Sequence, residues 1–210
     1  MIKKHLKILI ITSAVILLPI LAGVILWGKL PSQLPIHWNI NGEVDGWCGK
    51  AFGVFGIPLI LAALHWVCVI VTLSDPKKKN HSEKIMFLVF WLVPVLSVFL
   101  CMVTYITAMG KQVQINVIIP IFLGFVFAAI GNYLPKCKQN YTMGIKLPWT
   151  LNSEENWNKT HRLAGWLWVI GGVIMMLIGF FGIIWINLVI ASIIALIPII
   201  YSYVLHLKGI

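Results

Sequence analysis

Six long apolar runs constrain this 210-residue chain more than any other feature. They lie at roughly 6–28, 51–73, 85–109, 116–134, 163–183 and 185–207. Each is close to the ~20 residues a helix needs to cross the hydrocarbon of a bilayer. In lipid the backbone must satisfy its own hydrogen bonds, so such runs fold as helices. Charged residues make up 10% of the chain and hydrophobic ones 60%, whereas a soluble domain is about 25% charged. The expected fold is an all-α integral membrane protein of six transmembrane helices, in one membrane domain, 1–210. The turn inside "FFGIIWIN", between the last two runs, carries no strong signal.

The start, "MIKKHLK", resembles that of a signal peptide, but the apolar run behind it is too long and no A-x-A site follows. It is read as a retained first helix. Lysine and arginine then set the orientation. With both termini in the cytoplasm, thirteen of the sixteen basic residues fall inside and three, Lys29, Lys50 and Lys111, fall outside. The net charge of +10 is thus explained by membrane topology and gives no reason to expect nucleic acid as a partner. Localisation in the cell membrane follows, with the lipid bilayer as the first partner. Cys48, Cys68, Cys101 and Cys137 share no loop and show no C-x-x-C spacing, so neither a disulfide framework nor a metal site is expected. No cofactor motif is present.

His65 is the one ionisable residue well inside a run. With no acid in any span to pair with it, it reads as a neutral imidazole bonded between helices. Asn132 and Asn187 read as interhelical glue. Gly124-x-x-x-Ala128 and Gly49-x-x-x-Gly53 would permit close helix approach. "DPKKKNHSEK", 75–84, reads as a solvated cytoplasmic turn anchored to anionic headgroups.

Two connections are long enough to carry function, 29–50 outside and 135–162 inside. In the first, Pro31 and Pro35 favour extended chain. Ile36, Trp38 and Ile40 alternate with polar residues, and Asn41-Gly42 is a strong hairpin signal. A short extracellular hairpin is expected, with Trp38 and Trp47 at headgroup level. A two-residue turn would pair Ile40 with Glu43, Trp38 with Asp45 and His37 with Gly46. His37 and Asp45 would then face opposite ways, which argues against a His–Asp dyad. The pattern fits both a loop capping the bundle and a binding lid using His37, Trp38, Glu43, Asp45 and Trp47.

In the second connection Asn152 or Ser153 can cap a helix, with Glu154 and Glu155 in its first turn, where the dipole favours acids. That helix is expected to run into the fifth span. Trp157, His161, Ala164 and Trp168 share one of its faces, against which Trp149 and "KLPWT" can pack.

These residues carry a resemblance. Asn140, Met143-Gly144-Ile145, Pro148-Trp149-Thr150-Leu151, Trp157 and Thr160-His161-Arg162-Leu163-Ala164-Gly165 resemble the cytoplasmic signature of the SdpI family. Its members include immunity proteins against secreted sporulation-delaying peptide toxins of Gram-positive bacteria. Leu34-Pro35-Ile36-His37-Trp38, Gly42, Asp45 and Lys50 are similar to the DUF1648 segment that often precedes that signature. The DUF1648-like part covers 1–75 and the SdpI-like part 135–210. The family's Gly-Ile-Arg-Thr-Pro-Trp-Thr departs here at Lys146 and Leu147; lysine keeps the charge but loses the planar fork.

The resemblance implies a non-enzymatic membrane immunity protein whose partner is a secreted toxin peptide at the outer face. It further implies signalling by capture of a cytoplasmic transcriptional repressor. Asn140, Gly144, Lys146, Pro148, Trp149, Thr150, Trp157, His161 and Arg162 would then form the docking motif. The alternatives are an intramembrane peptidase and a small-solute transporter or sensor. For the first, Glu154-Glu155 with Lys159 nearly matches a Glu-Glu-x-x-x-Arg motif, but it lies in a polar loop and lacks the companion histidines. For the second, Pro58, Pro94, Pro120 and Pro198 could break helices, yet the midplane lacks charge.

Overall fold

The computed structural model describes residues 2–210, with side chains from His5 onward. The side chains of Lys3 and Lys4, counted above toward the orientation, lie outside the described residues. The order is α1 (Ile2–Ile25), β1 (Gln33–Trp38), β2 (Val44–Gly49), α2 (Ile57–Leu73), α3 (Glu83–Ala108), α4 (Ile115–Tyr133), α5 (Pro148–Asn152), α6 (Glu154–Gly179) and α7 (Ile184–Leu207). A π-helical turn, Phe52–Gly56, leads into α2, and 3-10 turns occupy Lys78–Asn80 and Leu134–Lys136. Among the described residues, six helices are long and apolar enough to cross a membrane. All but the five-residue α5 belong to that set.

The chain divides into two compact units, Met1–Leu73 with Phe87–Ile115 and Ser74–Met86 with Asn116–Ile210. In the first unit polar side chains tie helices together through carbonyls. Ser97 donates to Ile16 O at 2.9 Å and the Tyr105 hydroxyl to Pro19 O at 3.1 Å, which joins α3 to α1. His65 Nε2 meets Thr12 Oγ1 at 2.9 Å with both residues buried, joining α2 to α1 as the sequence suggests. Leu30, Leu34, Val54, Cys101 and Tyr105 form the core that seats the hairpin.

In the second unit backbone approach does the work. A Cβ on Gly124 would sit 2.5 Å from Gly172 O, and one on Gly131 would lie 3.0 Å from Gly165 O. Ala128 N also lies 2.7 Å from where a Gly172 Cβ would be. The Gly124-x-x-x-Ala128 pattern therefore does what its small residues allow, and its partners are the glycines of α6. The α6–α7 turn closes at Gly182, whose φ of +68° suits a residue without Cβ. Pro94, Pro120 and Pro198 lie inside continuous helices, and Pro58 in the first turn of α2. No helix is broken by them. Pro198 has no N–H to offer Ile194 O four residues earlier, and Trp168 Nε1 donates to that carbonyl instead, at 2.8 Å.

Candidate functional site

The hairpin forms as expected, but its turn and register differ. Asn39 N–H donates to Glu43 O at 2.8 Å and Gly42 N–H to Asn39 O at 2.9 Å, so the loop holds three residues, Ile40, Asn41 and Gly42. Gly42 takes φ +82°, the left-handed position such loops require. The Asn39 side-chain oxygen fixes this choice by accepting from Asn41 N at 2.9 Å and Glu43 N at 3.0 Å. His37 still faces Gly46, but Trp38 pairs with Val44 in place of Asp45. Asp45 is the extra residue of a bulge, and a bulge resets the alternation of side chains.

The expected separation of His37 and Asp45 is therefore overturned, since His37 Nδ1 lies 2.5 Å from Asp45 Oδ1. The pair is largely in solvent, with side-chain exposures of 70% and 43%. Gly46 makes room for it, because a Cβ there would be 2.7 Å from that of His37. Glu43 accepts from Asn39 Nδ2 at 3.0 Å. Trp47 is 52% exposed and Trp38 half-buried. Below them Leu34 is buried and Pro35 O accepts from Thr104 Oγ1 at 3.1 Å, so the base of the hairpin is fastened to α3.

The signature segment is built around three buried polar side chains. Asn140 Oδ1 accepts from Thr142 N at 2.9 Å and Met143 N at 2.7 Å, and its Nδ2 donates to Lys138 O at 2.9 Å. Thr150 Oγ1 accepts from Leu147 N at 2.9 Å and lies 2.9 Å from Ile145 O, which closes the turn that begins α5. Pro148 opens that helix, where no N–H is needed.

His161 is the third. Its Nδ1–H donates to Trp157 O at 2.8 Å, which leaves Nε2 to accept from Ile145 N at 2.9 Å. That assignment makes the ring neutral and uses both nitrogens. Trp157 stacks on it at 4.0 Å and donates through Nε1 to Cys137 O at 2.7 Å. Gly144, at φ +106°, passes over this pair; a Cβ there would overlap His161 Nε2. Burial pushes the Cys137 thiol up to about 11, against an opposing hydrogen bond from Asn140.

Ser153 caps α6, its side chain accepting from Asn156 N at 3.1 Å, and Glu155 pairs with Lys159 at 2.7 Å. Trp149 does not pack on the Trp157 face as expected. The short α5 delivers it to α7, where Nε1 donates to Ser202 Oγ at 2.9 Å and the ring stacks on His206 at 5.7 Å. Beside it lies a cavity of about 470 Å³ lined by Pro148, Trp149, Asn152, Ser153, His206 and Ile210. Lys146 and Arg162 are exposed, and Lys146 Nζ donates to Thr142 O, at 3.1 Å.

Two anchoring residues of this assembly, Asp75 and Gln139, escaped the sequence reading. Asp75, expected in a solvated turn, is 2% exposed. Its carboxylate accepts from Lys77 N at 2.6 Å, Tyr141 N at 2.9 Å and Thr142 Oγ1 at 2.9 Å, and His81 Nε2 stands 3.5 Å away. Burial alone would raise this carboxyl, but those bonds and the His81 charge outweigh it and hold it below its ordinary value. Gln139 donates to Thr150 O and Leu151 O, both at 3.0 Å, and accepts from Lys77 Nζ. An acid at the head of a lysine-rich turn is the one cue the sequence offered. Among the described residues no three His, Cys, Asp or Glu side chains gather to hold a metal ion.

The comparisons with known proteins divide along the same lines. Residues 136–202 match the SdpI/YfhL protein family, and residues 14–62 match a domain of unknown function, DUF1648. The chain is 27% identical over 172 residues to Immunity protein SdpI of Bacillus subtilis (strain 168), covering 82% of this chain and 81% of that protein. No solved structure matches it. The six apolar helices make this chain a multi-pass cell-membrane protein, and its signature segment and the hairpin that precedes it are similar to the SdpI/YfhL family and to DUF1648.

Proposed function

We propose that the protein is a membrane immunity protein that protects its own cell from a secreted, membrane-active peptide. The observation that carries this reading is the likeness to an immunity protein across more than four-fifths of both chains. It acts by binding and not by chemistry. Glu154 and Glu155 serve the first turn of α6, and Glu155 is spent on Lys159. His161 has both nitrogens engaged by the backbone. Neither group is poised for proton transfer.

In the orientation set by lysine and arginine, the hairpin faces outward. It offers exposed Trp47 and Ile36 beside the only acids on that side, Glu43 and Asp45. An aromatic and acidic rim suits a cationic amphipathic peptide, with aromatic anchors supplying contact area and acids steering the encounter. The signature segment then lies in the cytoplasm. Its buried members, Asn140, Thr150, Trp157 and His161, hold shape. Its accessible ones, Lys146, Arg162 and the rim of the Trp149 cavity, form the surface for a cytoplasmic repressor.

The test is expression in a sensitive Gram-positive host, challenge with sporulation-delaying-type peptides, and membrane potential read by a dye. Preserved potential is expected. Collapse at the control dose, with the protein confirmed in the membrane, would remove immunity to that peptide.

A further inference from the structure

The first unit contains an apolar furrow that the immunity reading does not use. It lies between α1 and α3, has a volume of about 520 Å³, and is lined by residues that include Leu21, Ala22, Leu26, Met102, Ile106 and Met109. Two hydrogen bonds hold the helices along its floor, Ser97 to Ile16 O and Tyr105 to Pro19 O. Tyr105 is the one polar side chain in the lining, and its hydroxyl is engaged there. Nothing is left to recognise a polar ligand. The rim is open, with Leu21 at 62% and Met102 at 50% exposure, and in a bilayer it faces acyl chains.

Two lysines follow closely on the helix ends that form the furrow. The chain turns out of α1 with Lys29 N–H bonded to Leu26 O at 2.8 Å, and out of α3 with Lys111 N–H bonded to Ile106 O at 3.3 Å. Leu26 and Ile106 both line the furrow. Two of the three lysines expected on the outer side therefore stand at the ends of the two helices that form it, and both are exposed. Lys50, the third, is committed to Trp27, its Nζ donating to Trp27 O at 3.0 Å and lying 5.1 Å from that ring. Lys29 and Lys111 have no acid partner among the ion pairs of the described residues.

We propose that this furrow is a binding site for an anionic phospholipid, one acyl chain along α1 and α3 and the phosphate at Lys29 and Lys111. A hydrocarbon slot with two exposed lysines at the ends of its helices, neither in an ion pair among the described residues, matches an anionic amphiphile in both parts. It does not match a cationic peptide, which the same lysines repel. The site is independent of the immunity reading.

The experiment uses the full chain in mild detergent, with phosphatidylglycerol or phosphatidylcholine added and bound lipid counted by native mass spectrometry. The wild type is expected to retain phosphatidylglycerol preferentially. Lys29→Gln with Lys111→Gln should lower that preference about five-fold per lysine, and Ala22→Trp, which fills the furrow, should lower retention of both lipids. Lys208→Gln, at an exposed lysine on the other side in the expected orientation, should change neither. Equal retention of the two lipids by the wild type would overturn the proposal. So would a preference that survives the Lys29/Lys111 exchange, or displacement of the lipid by millimolar inorganic phosphate, which would mark a free-anion site. The two lysines are exposed, so their exchange gives a reading even where Ala22→Trp does not fold.

Discussion

The carboxylate of Asp75 accepts the hydroxyl of Thr142 at 2.9 Å, across 67 residues of sequence. With the Tyr141 amide on the same oxygen, it fastens the turn after α2 to the segment that opens the family signature. Asp75→Ala leaves two N–H groups and a hydroxyl without their acceptor. A loss of about 3 kcal/mol is expected, read as a lower midpoint of unfolding in detergent. Because the folded carboxyl is held below its unfolded value, its contribution is present above ~pH 4 and disappears as pH falls through the folded value. Asp75→Asn should remove that acid-side dependence, and a pH series of melting curves for both proteins checks it.

What the sequence made legible and what it hid differ by range. The six spans followed from run length, and the start of α6 followed from Ser153 and the two acids behind it, because both signals are local. The Asp75 clasp was hidden because its partners lie far along the chain in a segment with no periodicity of its own. The His37–Asp45 contact was hidden for another reason. An unbroken ladder through a two-residue turn separates the two side chains, whereas Asn39 accepts from two amides and stabilises a three-residue loop, and the bulge at Asp45 absorbs the difference. Trp149 reaches α7 and not the Trp157 face because the seven-residue step from Leu147 to Ser153 contains a separate short helix that turns it toward Ser202.

Gly124 and Gly172 set the distance between α4 and α6. A methyl at residue 124 would press on a backbone carbonyl, which cannot rotate away as a flexible side chain would. Gly124→Ala is expected to cost about 1–3 kcal/mol through overpacking, and Gly124→Leu more. Gly110→Ala is a poor control because φ there is +78°; Gly28→Ala, with nothing within 4 Å of its Cβ, is a good one. Denaturant unfolding in mixed micelles ranks the three.

The Cys137 thiol is 6% exposed and pushed up to about 11. At neutral pH almost none of it is the reactive thiolate. Maleimide labelling of a protein whose other three cysteines are serine is expected to be negligible when folded and complete after unfolding. Asn140→Ala removes the amide that donates to this sulfur at 3.3 Å and dismantles the turn beside it. Faster labelling in that variant would report opening of the signature segment without reference to any toxin.

The two proposed surfaces make opposite demands on substitutions, so they can be separated. On the hairpin, Asp45→Asn keeps an oxygen for the His37 Nδ1–H and removes the charge, whereas Asp45→Ala removes both. If the acid steers and holds a cationic peptide, the two variants should lose protection alike, by about five-fold or more in the toxin dose that collapses the potential. If Asp45 only shapes the bulge, Asp45→Asn should protect like the wild type. At the other surface Trp149→Ala removes the bond to Ser202 and the stack on His206 while leaving the hairpin untouched. It should leave the protective dose unchanged and lower capture of a cytoplasmic repressor, measured by membrane recruitment of that repressor after toxin challenge. Loss of protection in Trp149→Ala at normal membrane abundance would instead make the signature segment part of the protective device.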